Sequence, residues 1–244
     1  MSKYKIGIGL CTYNRPDKAL QTAKAIKETT HEVNLLCSID GGDFSKYDLE
    51  EFIKLGYGVI VGGNQGVVRN KNRIINYLQN CDYIFVIEDD LTPIKAGWVE
   101  KYIEALQCTG YDHLNFIHEQ ARSPKYKETK YSDTITIEYF GYLGGTLMVM
   151  TNKCLHQVGI LDPEYKFYGH GHTDYTRRCQ QAKLSASSEE GYPHIKGIDD
   201  YLVMDLSIPS ATDLPLRENY IKINGVRFQN GSPEICIPIK EFLI

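Results

Sequence analysis

The sequence predicts an α/β fold in which a mostly parallel central sheet is flanked by helices within a single domain. Apolar runs that suit strands alternate with segments whose apolar residues recur at helical spacing. Residues 83–87 are apolar without a break, which is typical of a parallel strand buried on both faces. Polar or glycine-rich residues follow each of the first four predicted strands, and in a parallel sheet these carboxyl ends meet at one edge.

The predicted elements alternate along the first half of the chain and become less regular in the second. Residues 139–146 suit a strand that contains glycines, and the polar residues 119–133 predict a mobile surface loop. Residues 221–228, with Asn224 and Gly225 at their centre, predict a hairpin with a two-residue turn. The apolar residues 235–244 predict docking on the domain or on a second subunit, which would make a homodimer. The strands are predicted at residues 6–11, 33–39, 58–61 and 83–87, and the helices at 19–26, 49–55, 67–78, 98–106 and 151–158.

Composition limits the function classes. The net charge of −4 gives no general electrostatic footprint for nucleic acid or for an anionic membrane. The chain begins almost directly with a strand, which leaves no room for a signal peptide, and no apolar stretch is long enough to span a bilayer. The seven cysteines are odd in number and widely spaced, as reduced thiols in a cytosolic protein would be. These features predict a cytoplasmic protein.

Three adjacent acids, Glu88, Asp89 and Asp90, follow the apolar run of residues 83–87. At the carboxyl end of a central strand, such acids provide the oxygen ligands that a divalent cation prefers. A solvated acidic turn is the alternative interpretation, but the buried strand before the triplet favours the cation site.

The ends of the other predicted strands complete a binding edge. Backbone amides and helix starts near residues 12–15 and 62–66 can accept phosphate, and Asp40 can accept hydrogen bonds from a nucleobase or ribose. Arg69, Lys71 and Arg73 lie on the next predicted helix and can neutralise a diphosphate, although a solvated helix face explains each of them equally well.

These motifs resemble those of nucleotide-sugar glycosyltransferases of the GT-A fold, particularly family 2. The resemblance covers residues 4–183. Glu88-Asp89-Asp90 resembles the DxD motif of that fold, in the form also found in N-acetylglucosaminyltransferase I enzymes, and Lys71 stands where the family has arginine. The other matching residues are Thr12, Tyr13, Asn14 and Arg15 in the opening motif, Asp40 after the second strand, and Asn64, Gly66 and Asn72 around the third helix.

The resemblance implies a metal-dependent enzyme that uses Mn2+ or Mg2+ and a nucleoside-diphosphate sugar, with UDP as the expected nucleotide. It implies a nucleotide-sugar-binding half at residues 1–92, and an acceptor and catalytic half at 93–244 with a small C-terminal β region. Asp90 would ligate the metal, Glu88 would hold the ribose side and Asp89 would approach the donor sugar. Gly145 lies in the segment that would pass beneath that sugar, and His194 is where many such enzymes place a metal-binding histidine.

The catalytic base is harder to assign. Residues 167–178 match the position of a family motif that supplies an acidic base, and Asp174 with Arg178 fits its last part. Gly171 and His172 replace the first two acids. His172 or Asp174 is therefore the predicted base, and transfer would invert the anomeric centre. His172 as a metal ligand and Asp174 as a helix cap paired with Arg178 are the alternatives.

Two other functions remain open from the sequence. His170, His172 and Asp174 resemble the first ligand motif of metallo-β-lactamase-type zinc hydrolases, although that motif occurs early in those chains. Loss of the acidic base would instead leave a non-catalytic nucleotide-sugar binder. For an enzyme, the acceptor would be a glycan, a lipid-linked precursor, a protein or a hydroxymethylated base in viral DNA.

Overall fold

The computed structural model describes residues 3–207 and 214–231. The strands are Ile6–Thr12 (β1), Asn34–Ile39 (β2), Tyr57–Val61 (β3), Tyr83–Glu88 (β4), Leu91–Pro93 (β5), His113–Asn115 (β6), Lys125–Lys130 (β7), Thr136–Phe140 (β8), Leu147–Thr151 (β9), Tyr192–Ile195 (β10) and Leu202–Met204 (β11). The α-helices are Pro16–Thr29 (α1), Leu49–Lys54 (α2), Val67–Leu78 (α3), Trp98–Thr109 (α4), Asn152–Val158 (α5), Gly171–Gln181 (α6) and Leu214–Asn230 (α7).

The predicted α/β class is confirmed. The main sheet has six strands in the order β3-β2-β1-β4-β9-β6. β1 pairs in parallel with both β2 and β4, and β2 pairs in parallel with β3. β9 is the exception, because it runs antiparallel between β4 and β6. The carboxyl ends of the four predicted strands therefore meet at one edge, as the sequence indicates.

The central strand β4 is buried on both faces. Phe85 and Ile87 pack in the cluster that includes α1 and α4, whereas Ile84 and Val86 pack in the cluster that includes α3, α5 and α6. This two-sided burial explains the unbroken apolar run. On β1, Gly9 leaves no room for a side chain, because an added Cβ would lie 2.0 Å from a side-chain carbon of Ile74 in α3.

A second, antiparallel sheet of order β10-β8-β7 lies in the second half of the chain. Its edge strand β7 corrects the prediction of a mobile loop over residues 119–133. The loop prediction was wrong because β7 has no buried face, and its Lys125 pairs instead with Glu128 and with Glu138 on β8. The predicted glycine-containing strand is also shorter, since β8 ends at Phe140 and residues 141–146 connect it to β9.

Helix α7 corrects the predicted hairpin at residues 221–228. Asn224 does not occupy a turn, because its buried side chain accepts from the Lys166 amide at 3.0 Å. It also donates to the carbonyls of Lys166 and Tyr168, both at 2.7 Å. Asn224 thus supplies hydrogen bonds that fix α7 on the 166–169 loop, a role that sequence spacing does not reveal.

No helix within the described ranges is long and apolar enough to cross a membrane. The predicted docking segment at residues 235–244 lies outside the described residues.

Candidate functional site

A cavity of about 510 Å³ opens at the carboxyl edge of the main sheet. It brings together most of the residues that the sequence singled out, and it is also lined by loops and by α7. The predicted residues on its wall are Thr12, Tyr13, Arg15, Asp40, Asn64, Gly66, Glu88, Asp90, Gly145 and His172. Other lining residues include Cys11, Asn70, His118, Leu143, Thr146, Phe167, Tyr168, Gly169, Met204, Leu216, Arg217 and Tyr220.

Asp89 lies behind the cavity rather than on its wall. Its side chain is fully buried and pairs with Arg15 at 2.8 Å, and the Thr12 hydroxyl donates to it at 2.6 Å. The Thr22 hydroxyl of α1 donates to the Asp89 carbonyl at 2.8 Å. Burial raises the pKa of Asp89 to about 7, while Arg15 and Thr12 favour its charged form. In this position Asp89 does not make the predicted contact with the donor sugar. Its contacts instead connect β1, α1 and the end of β4.

Glu88 faces the cavity and is paired with the buried Lys71 at 2.6 Å. Lys71 also donates to the Gly145 carbonyl at 2.5 Å. Because Lys71 is only 1% exposed, it holds the acid and the 144–146 segment together from within the protein. It does not line the cavity, so the predicted direct contact between Lys71 and the donor diphosphate has no counterpart in this geometry.

Asp90 is the acid on the cavity wall whose carboxylate best fits a cation ligand. Its Oδ1 is buried and has no hydrogen-bond partner within the described part of the chain, and its Oδ2 lies 3.6 Å from Arg15. Burial, followed by repulsion from Glu88, raises its pKa to about 6. A divalent cation would relieve both effects. Mg2+ is commonly bound through one or two carboxylates plus substrate phosphates, and these residues fit that arrangement.

Asp40 is held by the backbone at the start of α3. It accepts from the amides of Gln65 at 3.2 Å and Gly66 at 2.8 Å, and it pairs with Arg73 at 3.0 Å. Burial raises its pKa against these three favourable contacts. Gly66 has φ +92°, and an added Cβ would lie 2.2 Å from Phe167 Cα. Asp40 therefore shapes the cavity wall and has few free acceptor positions for a nucleobase.

Two further residues of the predicted nucleotide site lie at the rim. Asn64 donates to the Tyr13 hydroxyl at 3.1 Å, so the loops after β1 and β3 touch there. Asn14 is exposed and does not line the cavity; it adopts φ +52°, with its side chain against Gly42. Asn14 is therefore suited to a turn that orients Tyr13 and Arg15, and it is not placed to contact a ligand.

His172 lines the cavity at the start of α6 and packs against Gly145. An added Cβ on Gly145 would lie 2.5 Å from the imidazole Nδ1, so only glycine allows this approach. Burial, with a smaller effect of Lys71, lowers the pKa of His172 to about 4. The imidazole is therefore neutral near pH 7 and can accept a proton.

Asp174 lies inside α6 and does not reach the cavity. It is fully buried and pairs at 3.0 Å with Arg178, which also donates to the carbonyls of Val158 and Ile160. The helix begins at Gly171 rather than at Asp174. The ion pair with Arg178 agrees with one part of the alternative interpretation, but Asp174 is not the helix cap, because His170 occupies that position.

His194 does not line the cavity that Asp90 faces, so the structure does not bring the predicted metal pair together. It is buried on β10, where its Nδ1 accepts from the Ile117 amide at 3.3 Å and its Nε2 lies 3.8 Å from Asp199. His170, the first residue of the hydrolase-like motif, stacks on Phe228 instead of converging on a metal site. Among the described residues, no three His, Cys, Asp or Glu side chains are grouped as a protein-only metal site. The zinc hydrolase interpretation therefore lacks its ligand set.

Sequence reasoning missed the side of the cavity that α7 and the 167–169 loop form. The Phe167 and Tyr220 rings pack at a tilt of 35° with centroids 4.7 Å apart, and the Arg217 guanidinium lies 4.7 Å from the centre of the Tyr168 ring. The aromatic residues of 167–168 were visible in the sequence, but Arg217 and Tyr220 are distant and belong to a helix mistaken for a hairpin. Only a correct helix assignment could have suggested that they share one face.

The sequence matches no family model and no curated protein, but the fold matches solved glycosyltransferases. GalNAc-T7, solved with UDP, GalNAc and Mn2+, is 10% identical with a TM-score of 0.57 over 79% of this chain and 42% of its own. The mannosyltransferase PcManGT from Pyrobaculum calidifontis, in complex with GDP-Man and Mn2+, is 10% identical with a TM-score of 0.63, covering 96% and 67%. Glucosyl-3-phosphoglycerate synthase from Mycobacterium tuberculosis, with Mn2+, UDP and phosphoglyceric acid, is 10% identical with a TM-score of 0.54, covering 75% and 66%.

These similarities show that the chain has the GT-A fold. The chain spans less than half of the GalNAc-T7 chain and about two thirds of each of the other two. At such low identity, they carry no residue assignments.

The buried Asp174–Arg178 pair predicts a structural role that can be measured. Asp174→Ala leaves Arg178 without its carboxylate, so the free energy of unfolding in urea should fall by about 3–5 kcal/mol. Asp17→Ala, in the first turn of α1 and exposed, is the matched control and should change stability by less than about 1 kcal/mol. Unchanged stability in Asp174→Ala, together with lost sugar transfer, would instead indicate a catalytic role.

Proposed function

We propose that this chain is a metal-dependent glycosyltransferase that moves a sugar from a nucleoside-diphosphate sugar, with UDP as the expected nucleotide, to an acceptor hydroxyl. The observation that carries the proposal is the pair of acids Glu88 and Asp90 on one wall of the cavity, with the buried Asp90 Oδ1 unpartnered within the described residues. A cation-binding acid at this edge of a GT-A sheet is where a diphosphate would be neutralised.

The residues present divide the binding work in a consistent way. Asp90, with Glu88 nearby, would hold the cation, whose chemistry would be to offset charge developing on the departing diphosphate. Lys71 keeps Glu88 and the Gly145 carbonyl in place, and Arg15 limits the repulsion between Asp89 and Asp90. The rim formed by Tyr13 and Asn64 supports a nucleoside position near the ends of β1 and β3.

His172 is the proposed base. It lines the cavity beside Gly145 and carries no charge near pH 7, so it can take the proton of an acceptor hydroxyl. A bound diphosphate would raise its pKa from about 4, because nearby negative charge favours the imidazolium. Direct displacement with this base would invert the anomeric centre. The acceptor is proposed only as a hydroxyl compound, with a glycan, lipid-linked precursor, protein or modified base as the candidates.

One observation favours a second candidate, a nucleotide-sugar binder without catalysis. A histidine whose pKa lies near 4 is a weak base, and both acids that the family places at this point are absent. Turnover of a bound donor separates the two functions, because a pure binder would retain donor affinity without hydrolysis or transfer.

The first test of the proposal is Asp90→Ala. Wild-type protein should be stabilised by UDP only when Mn2+ is present, since ligand binding to the folded state raises the melting temperature. Asp90→Ala should lose that shift and at least about 10²-fold in donor turnover, because the charge on the diphosphate is no longer offset. Asp133→Ala, at a 99% exposed acid, is the control and should behave as wild type. A normal Mn2+-dependent shift in Asp90→Ala would exclude this cation site.

The raised pKa of Asp90 predicts how cation binding depends on pH. A proton and the cation compete for the carboxylate, so Mn2+ affinity should be constant above neutral pH. It should fall about tenfold per pH unit below pH 6. Glu88→Gln removes the repulsion and should move the midpoint to lower pH. Calorimetric titration of Mn2+ in the presence of UDP measures the profile, and a flat profile down to about pH 5 would contradict it.

His172→Ala tests the base. Donor turnover should fall by about 10²–10⁴-fold, while UDP affinity with Mn2+ stays within about twofold, because a base acts on the acceptor rather than on the nucleotide. If His172 were a metal ligand, Mn2+ and UDP affinity would fall together. His31→Ala, at an exposed position on the α1–β2 connection, is the control. Full activity in His172→Ala would remove the residue from the mechanism.

A further inference from the structure

Basic side chains around the cavity are matched with acids, with one exception. Arg15 pairs with Asp89, Lys71 with Glu88 and Arg73 with Asp40, at 2.8, 2.6 and 3.0 Å. Within residues 3–207 and 214–231, the fourth cation, Arg217, has no carboxylate at ion-pair distance. The first three cations thus form ion pairs within the protein, whereas the guanidinium of Arg217 can donate hydrogen bonds to a ligand.

The position of Arg217 is set by its surroundings rather than by an ion pair. Its guanidinium lies over the Tyr168 ring at 4.7 Å. Its Nε is buried and has no acceptor in the described structure. Leu216 and Tyr220, on the same helix, line the cavity beside it. A guanidinium stacked in this way keeps its charge and its outer donors while losing little side-chain entropy on binding.

The anchoring of α7 directs Arg217 toward the cavity. Asn224 makes hydrogen bonds to the 166–169 loop, and Phe167 of that loop accepts from the Val67 amide at 3.0 Å. A continuous set of contacts therefore runs from α7 to the start of α3, where Asp40 is held. Through these contacts, the helix that carries Arg217 is fixed against the part of the protein that is proposed to bind the nucleotide.

Glu88, Asp90, Tyr168 and Arg217 all line the same cavity. Burial raises the pKa of Tyr168 and Arg217 lowers it, whereas the two acids raise it, so the charges of both signs act on one ring. An anion in this cavity could contact both the guanidinium and a cation at Asp90. A diphosphate carries the negative charge and the acceptor oxygens that can pair with the Arg217 guanidinium and with such a cation.

We propose that Arg217, on α7, binds the diphosphate of the donor in the cavity that Asp90 also lines. This inference rests on the proposed function. In the transfer step the bond between the sugar C1 and the diphosphate oxygen breaks and the acceptor oxygen bonds to C1. The acceptor proton goes to the base, and the electron pair stays on the diphosphate oxygen. Arg217 stabilises that added charge, so α7 takes part in the reaction rather than only closing the domain.

The test compares ligands that differ only in phosphate. Affinities for uridine, UMP and UDP are measured calorimetrically with Mn2+, with the guanosine series in parallel because the base is a proposal. In Arg217→Ala, UDP affinity should fall by about 10- to 100-fold, as expected for lost charge-assisted hydrogen bonds. Uridine affinity should stay within about twofold. Arg217→Lys should lie between Arg217→Ala and wild type, because it keeps the charge but not the planar fork.

Controls separate this inference from the proposed function. Lys222→Ala removes one charge from an exposed position on the same helix and should bind UDP as wild type does. If Arg217→Ala fails to fold, Arg217→Gln is the second variant, because it keeps the aliphatic part of the side chain and removes the charge. Unchanged UDP affinity in the Arg217 variants, or equal losses for uridine and UDP, would overturn the inference while leaving the proposed function standing. A wild-type protein that binds no nucleoside diphosphate with Mn2+ would overturn both.

Discussion

The buried ion pair between Arg15 and Asp89 is the interaction on which the rest of the site depends. Asp89 stands between the two acids that face the cavity, and its contacts with Arg15, Thr12 and Thr22 fix the end of β4 against β1 and α1. Removing one partner of a buried pair typically costs about 3–5 kcal/mol, because the other charge stays buried without compensation. Satisfying the middle acid inside the protein is what leaves the outer two available for a ligand.

The same logic extends across the sheet edge. Two acids at the carboxyl ends of strands are paired with cations of helix α3. Asp40 pairs with Arg73, and Glu88 pairs with Lys71. These pairs stiffen the wall before any ligand arrives, so binding need not order it. A residual charge imbalance remains at Asp90, whose pKa is raised, and at Arg217, which lines the same cavity. A bound metal–diphosphate complex would correct both imbalances together.

The rest of the cavity wall is built differently, from loops and from α7. Solved enzymes bound to different ligands, UDP with GalNAc in one and GDP-Man in another, share this fold, so the fold alone does not indicate a donor. Tyr168, Tyr220 and His118 belong to the part of the cavity wall outside the sheet. Function in this fold is decided by such grafted groups rather than by the sheet itself.

The sequence by itself determined the α/β class, the positions of the first four strands along the chain and the edge at which their polar ends meet. Apolar runs and their periodicity are local signals, so the sequence alone contains them. Only the tertiary structure decided that Asp89 and Asp174 are buried in ion pairs, that His194 lies away from Asp90, and that Arg217 reaches the cavity. Each depends on contacts between residues far apart in the chain or on which face of an element turns inward, and local pattern does not encode those relations. The polar strand β7 and helix α7 were missed for the same reason: tertiary partners, rather than an apolar period of their own, hold them in place.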